Sequence, residues 1–173
     1  VFSDYFHSLH TTSEAVVNAE VRKAVSRALK IIAVQRVTSN ENTLSENGYI
    51  APFASTSWRY RLGSQYFPNQ PITGDSGNTP VAESYFNTLR TFGRHRSGKS
   101  AKLLKTDFTT SHGVMTYPLE RQSTMDLSGV PVNNSRVLTL DCSFNSGVSR
   151  LIDFYLKHVI LVRVFLSNAE IEQ

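Results

Sequence analysis

The chain has 173 residues, of which 40% are hydrophobic and only 18% are charged, and its net charge is +4. This length accommodates one well-buried core or two small ones, and the charged fraction lies below the usual share for a soluble globular domain. A single cysteine excludes an internal disulfide framework, and no apolar run reaches the length that spans a membrane.

The N-terminal part of the sequence predicts a helix followed by a strand. Thr11 and Glu14 have the spacing of a capping box, and apolar residues then recur near the helical period over residues 11–30. The β-branched residues of Ile31–Val37 predict a strand. We therefore expect residues 1–40 to form an N-terminal helix and a lead-in strand.

Residues 41–173 predict a β-rich body with one short inserted helix over Ala82–Phe92. Apolar and β-branched residues predict strands at Tyr49–Phe53, Ser57–Leu62, Val114–Leu119, Arg136–Phe144 and Ile152–Leu166. Many short strands and few helices favour a mainly β fold, a jelly-roll sandwich of two antiparallel sheets. We expect residues 41–173 to form this barrel as a single domain, and the chain to be part of a longer polypeptide.

The stretch Trp58–Ile72 concentrates four aromatic residues, two prolines and two arginines, and it contains no acid. Proline cannot donate to a sheet ladder, which predicts a strand end, a sheet edge or an interface. Large aromatic side chains are typical anchors where proteins contact one another. We expect a subunit interface, or else packing that only closes one end of the barrel, at Tyr66, Phe67, Pro68 and Pro71.

Positive charge is concentrated between residues 90 and 105, where six basic residues lie without an acid. The rest of the chain carries 12 basic against 14 acidic residues, so the basicity is local. The patch consists mainly of Arg94, Arg96, Lys99 and Lys102. It is either a solvated loop or a surface for an acidic neighbour or nucleic-acid phosphates, without base stacking because no aromatic residues are interleaved.

The segment Gly93–Ser100 matches the phosphate-binding pattern G-x-x-x-x-G-K-[ST]. A loop of that kind follows a buried strand, whereas the residues before Gly93 predict an amphipathic helix. Asp141 is a candidate for the magnesium carboxylate, but its predicted strand continues past it. Nucleotide binding therefore stays an alternative to an exposed basic loop.

Other signals for catalysis or metal binding are weak. His7 and His10 could lie on one face but lack a third ligand. Cys142 has the parity of a buried strand residue, and His158 lies among the apolar residues of a predicted strand. The sequence predicts no enzymatic activity, no metal and no cofactor.

The segment Tyr60–Ile72, YRLGSQYFPNQPI, resembles a tract of double-jelly-roll major capsid proteins, especially those of polinton-like and adintovirus-like DNA viruses. In that family a strand with tyrosine, arginine and glycine leads into a Tyr-Phe-Pro-x-Gln-Pro-Ile turn and then into a short helix. Leu127–Arg136 resembles the family's turn before a late strand, and Ile152–Ile171 resembles its final strands. The resemblance runs from about residue 20 to the end of the sequence. Because this chain has room for one barrel, the resemblance implies the C-terminal barrel of such a subunit.

The resemblance also implies a function and partners. It implies a structural protein of the virion, assembled inside the host cell as a trimer, with copies of itself and other capsid proteins as partners and non-specific contact with nucleic acid. Two alternatives stay open, a nucleotide-binding protein that uses Gly93–Ser100 and a jelly-roll module that binds glycans.

Overall fold

The computed structural model describes nine stretches or single residues of the chain: 2–37, 55–73, 78–93, 108, 114–120, 128–133, 136–144, 147 and 149–160. In these parts the chain forms nine strands and one helix. The strands are β1 (Phe2–Thr12), β2 (Val16–Val21), β3 (Val25–Val37), β4 (Ser55–Leu62), β5 (Gln65–Thr73), β6 (Met115–Pro118), β7 (Val130–Val132), β8 (Leu138–Phe144) and β9 (Arg150–Ile160), and the helix is α1 (Asn78–Thr91).

The two sheets arise from a nested set of antiparallel strand pairs. β4 and β5 form a hairpin, around which β3 pairs with β6, β2 with β8 and β1 with β9. These pairs fall alternately into two sheets, with the orders β1-β9-β3-β6 and β2-β8-β4-β5, and β7 also pairs with β3. The result is a mainly β, jelly-roll-like sandwich of two antiparallel sheets, as the sequence predicts.

The N-terminal helix predicted over residues 11–30 is wrong, because the chain there forms the end of β1, all of β2 and the start of β3. Exposed and buried residues alternate strictly along β2, which is typical of a strand with one face on the core. Val17 and Val21 are four positions apart, and both a helix and a strand place such residues on one face. The Thr12 hydroxyl oxygen accepts from the backbone N–H of Glu14 at 3.1 Å, which closes a turn between two strands.

Five of the later elements agree with the sequence prediction within a few residues at their ends, whereas β5 and β7 were not predicted as strands. β4, β6, β8, β9 and α1 occupy the predicted segments, and in β8 the predicted core parity is buried, namely Leu138, Leu140, Cys142 and Phe144. The predicted strand at Tyr49–Phe53 and the continuation of the last strand past Ile160 lie outside the described residues.

The core lies between the two sheets, and two of its largest side chains come from β4. Trp58 and Tyr60 are fully buried, with ring centroids 5.8 Å apart. The Tyr60 hydroxyl donates to the backbone oxygen of Met115 in β6 at 2.7 Å. This hydrogen bond satisfies a buried polar group and joins the two sheets.

Candidate functional site: two interaction surfaces

The predicted interface residues lie in β5, which is an edge strand of the four-stranded sheet. Tyr66, Phe67, Pro68 and Pro71 are all half-buried. Phe67 packs against the hydrophobic core, and the centroid of its ring lies 6.0 Å from that of Tyr117 on the other sheet. The tract is therefore partly a core element and partly an exposed edge of the sandwich.

A bulge interrupts the pairing of β5 with β4. Between the pairs Tyr60–Phe67 and Trp58–Ile72, four residues of β5, two of them prolines, stand opposite a single residue of β4. Proline lacks a backbone donor, and a bulge disrupts the ladder, so this edge is a poor template for a further strand. A partner at this edge would meet side chains rather than a regular row of backbone groups.

The helix α1 is oriented with its polar stripe toward the protein. The buried residues of this stripe are Ser84, Asn87, Thr88 and Thr91. The Thr88 and Thr91 hydroxyls donate to carbonyl oxygens one turn earlier, at 2.9 Å and 2.7 Å, which satisfies them inside the helix. Phe86 is 56% exposed. This orientation is the reverse of that expected for a helix that packs on a sheet and faces water.

The buried stripe of α1 rests on the outer face of the five-stranded sheet. The Thr88 hydroxyl lies 3.4 Å from the Thr116 hydroxyl of β6. Lys30 of β3 donates from Nζ to the backbone oxygen of Thr91 at 2.9 Å. A cation at the last carbonyls of a helix is electrostatically favourable, so Lys30 helps to fix the orientation of α1.

The outward side of α1 is the first candidate surface, which we call the helix surface and define by Phe86, Leu89 and Phe92. Phe86 and Phe92 are exposed, and Leu89 is half-buried. The sequence placed these residues and Tyr85 on one side of the helix, but Tyr85 turns toward Phe108, with ring centroids 5.5 Å apart. The sequence pattern therefore identified the apolar side but not that most of it faces outward.

The second candidate is the outer face of the five-stranded sheet, where β1, β9 and β3 carry aromatic and basic side chains in register. His7 faces Tyr155, Tyr5 faces Lys157, and Lys157 also faces Lys30. The His7 ring stacks on Tyr155 with centroids 4.9 Å apart. Tyr5 is 49% and Tyr155 37% exposed. We call these five residues the aromatic–lysine face.

One acid lies within this face, and its charge is compensated by two neighbours. The Asp153 side chain is only 6% exposed. Arg36 donates from Nε to Asp153 Oδ2 at 2.7 Å, and His7 donates from Nε2 to Asp153 Oδ1 at 2.9 Å. A buried carboxylate requires such partners. The face therefore offers rings and positive charge to the solvent and keeps its carboxylate covered.

Two lysines on neighbouring strands of this face oppose each other directly, an arrangement that is destabilising for like charges. Burial, followed by the charge of Lys157, lowers the pKa of Lys30, and Glu120 acts in the opposite direction. Lys30 Nζ lies 5.7 Å from the ring centroid of Phe92, and Lys157 Nζ lies 5.9 Å from that of Tyr5. Aromatic faces attract cations, yet the two ammonium groups still repel, so a bound anion would be favourable here.

The prediction that His7 and His10 could lie on one face is wrong. His7 faces Tyr155 on the outside of the sheet, whereas His10 faces Ile152, a core residue. Positions three apart in a strand point to opposite sides. Among the residues that the structure describes, no three His, Cys, Asp or Glu side chains form a group that could hold a metal ion.

The other residues considered for chemistry occupy positions within strands. Cys142 is buried in β8, and burial raises the pKa of its thiol to about 12, which disfavours the reactive thiolate at neutral pH. His158 is buried in β9. Asp141 lies near two arginines of β4, with Oδ2 3.8 Å from Arg59 Nε and 3.4 Å from Arg61 Nε, and β8 continues beyond it.

The predicted basic patch, Arg94, Arg96, Lys99 and Lys102, lies outside the described residues, as does all of Gly93–Ser100 except Gly93. The element that precedes Gly93 is the helix α1, and the strand pairs of the two described sheets are antiparallel. A nucleotide-binding loop of this pattern follows a buried strand. The described context therefore differs from that of a nucleotide site.

The sequence pattern did not identify the aromatic–lysine face. The alternation of Tyr5, His7 and Leu9 is the signal of one face of a strand. No local pattern shows what lies beside that strand, because the Asp153 that binds His7 comes 146 positions later. Exposed aromatics could be found from sequence, but their pairing with lysines required the sheet register.

Comparison of the chain with models of known protein families and with curated proteins finds no match. Within the described ranges, no helix is both long enough and apolar enough to cross a membrane. The fold, the two surfaces and the resemblance of the 60–72 tract are therefore the features that bear on function.

Proposed function

We propose that this protein is a structural capsid protein of a DNA virus, which associates with copies of itself through its jelly-roll-like sandwich to build the virion shell. The observation that carries the proposal is the orientation of α1. The helix buries a row of serine, asparagine and threonine side chains and leaves Phe86 and Phe92 exposed. Such an orientation is favourable when a neighbouring subunit covers the phenylalanines.

A monomer leaves the apolar area of Phe86 and Phe92 in water. Covering one exposed phenylalanine contributes about 1.5–3 kcal/mol. A specific interface of standard size buries about 1,600 Å² in total, which the helix surface can supply only with neighbouring elements. The β5 edge is one such neighbour, because α1 and β5 are in contact.

The half-buried aromatic and proline residues of β5 can supply the rest of the interface area. Tyr66, Pro68 and Pro71 offer rigid apolar area, with little side-chain entropy to lose in the case of proline. The resemblance of this tract to double-jelly-roll capsid proteins supports a trimer. Assembly in the host cell and a place in the virion follow from the same proposal.

The test is the mass of the purified protein by light scattering over a range of concentrations, with negative-stain imaging of the largest species. We expect a multiple of the single-chain mass. Phe86→Glu should weaken association at least about tenfold, which corresponds to about 1.4 kcal/mol. Val16→Glu is the matched control, because Val16 is an exposed apolar residue on β2, away from the helix surface.

A single-chain mass at every concentration would overturn the proposal, as would equal losses in the two variants. A monomer that binds sugars would favour the glycan-binding alternative. Saturable, magnesium-dependent binding of an ATP analogue that is lost in Lys99→Ala would favour the nucleotide alternative.

A further inference from the structure

The aromatic–lysine face combines two kinds of group at the spacing of a strand. Tyr5 and His7 are two positions apart in β1, so their rings lie side by side on one face. Tyr155 extends the row onto β9 by stacking on His7. Lys157 and Lys30 lie in the same row as Tyr5. Rings on β1 and β9 therefore lie beside cations on β9 and β3.

The charge balance of this face favours an anionic partner. His7 is 51% exposed, whereas the carboxylate of Asp153 is covered and held by Arg36 and His7. The opposed lysines repel each other, and Glu120 offsets the effect on Lys30 only in part. A second copy docked face to face would bring further lysines against these, so self-association through this face is electrostatically unfavourable.

We propose that the aromatic–lysine face binds single-stranded nucleic acid, with bases stacked on Tyr5 and Tyr155 and phosphates beside Lys157 and Lys30. Sequence-tolerant binding of single strands combines a positive surface with aromatic side chains on which bases stack. A duplex hides the faces of its bases and can offer only phosphates. The interleaved rings therefore favour single strands over duplexes and over purely acidic peptides.

The aromatic–lysine face adjoins the helix surface at Lys30, whose Nζ lies 5.7 Å from the Phe92 ring centroid, but the two surfaces share no residue. The rows of the aromatic–lysine face run across β1, β9 and β3, whereas the helix surface points outward from α1, which lies over the β6 side of the sheet. In a shell, one surface would contact neighbouring subunits and the other would contact the packaged nucleic acid. Phe86→Glu, which disrupts the first, should leave nucleic-acid binding within about twofold of the original protein, a change of about 0.4 kcal/mol.

The test is fluorescence anisotropy with a labelled oligothymidine of about 15 nucleotides, close to the site size of single-strand binders. Titrations at about 50 mM and 200 mM salt measure the electrostatic part. Tyr5→Ala combined with Tyr155→Ala removes the rings, and Lys157→Gln removes one charge. Arg61→Gln is the matched control, because it removes one charge from the outer face of the other sheet. Circular dichroism checks that each variant is folded.

We expect the double tyrosine variant to weaken binding at least about fivefold, the effect of losing one stacked base. Lys157→Gln should weaken binding more than Arg61→Gln and lower the salt dependence. A duplex of the same length and a polyglutamate peptide should compete poorly. The proposal is overturned if the oligonucleotide does not bind at low salt, if the tyrosine variant binds normally, if Arg61→Gln has the larger effect, or if polyglutamate competes equally well.

Discussion

Asp153 of β9 connects this strand to both of its neighbours in the five-stranded sheet, β1 and β3. Its buried carboxylate is held by the Arg36 guanidinium and the His7 ring. Asp153→Asn removes the charge but keeps the size of the side chain. We expect a loss of about 2 kcal/mol in the free energy of unfolding, since a guanidinium loses a charged partner in a covered site. The measurement is the midpoint of urea unfolding.

Asp141→Asn is the control for that change, because Asp141 faces two arginines on the outer face of the other sheet at longer distances. The Asp141 side chain is 21% exposed, against 6% for Asp153, and its pairs are longer, so the loss should stay below about 1 kcal/mol. Equal losses in Asp153→Asn and Asp141→Asn would contradict the distinction between the two sites.

Cys142 should make the stability of the protein sensitive to alkaline pH. Burial raises the pKa of its thiol from 9.0 to about 12, against the opposing effect of Arg150. Above pH 9.0 the unfolded chain therefore releases a proton that the folded chain retains, and stability falls as pH rises, by up to about 1.4 kcal/mol per pH unit until the folded thiol also ionises. Below pH 9.0 the thiol keeps its proton in both the folded and the unfolded chain, so its contribution to stability is fully present.

The measurement is urea unfolding at several pH values between 8 and 10, a range chosen because burial also raises the pKa of Tyr60 above 10.0. Cys142→Ala should show a shallower fall in stability with pH, although its stability at neutral pH is lower because of the cavity. If stability falls equally steeply with pH in the original protein and in Cys142→Ala, the thiol ionises equally in the folded and the unfolded chain.

At the scale of elements, the glycine before β7 sets how closely that strand approaches β3. Gly129 has φ +125°, and a Cβ there would lie 2.6 Å from the Ala28 backbone oxygen. Gly129→Ala should therefore destabilise the protein by about 3 kcal/mol, from backbone strain and from the displacement of β7.

The matched control is Gly93→Ala, after the end of α1. Gly93 has φ +68° and no atom within 4 Å of a built Cβ, so only the conformational strain applies. We expect a loss of about 1 kcal/mol. Thermal unfolding of the two variants tests the difference, and a Gly129→Ala protein as stable as Gly93→Ala would show that β7 can move without cost.

The elements differ in how far local sequence determines them. β8 was predictable because its apolar residues alternate without exception, and α1 because its apolar stripe recurs at helical spacing. β2 was not predictable as a strand, because the four-residue separation of Val17 and Val21 fits the period of a helix as well as that of a strand. The orientation of α1 was not predictable either, because it depends on Lys30 and Thr116 from distant strands.

At the scale of the whole molecule, composition and the number of predicted strands indicated a sandwich. They did not indicate which strands pair to close it. The sequence placed residues 1–40 before the barrel, whereas β1, β2 and β3 pair with β9, β8 and β6. Such pairings join residues that are between 82 positions (Ala33 and Met115) and 158 positions (Phe2 and Ile160) apart, and no local sequence pattern records the loop closure or the register they require. The same long-range pairing creates the aromatic–lysine face, which is why that site appeared only with the fold.

The pairing of β1 with β9 has a mechanical consequence. Phe2 stands opposite Ile160 at one end of an eleven-pair ladder, and Thr12 stands opposite Arg150 at the other. Tension that separates Phe2 from Ile160 would peel the rungs apart one after another, whereas tension between Phe2 and Arg150 would load all of them in shear. In the proposed shell, neighbours that pull along these strands would load the ladder in shear, whereas neighbours that separate Phe2 from Ile160 would peel it.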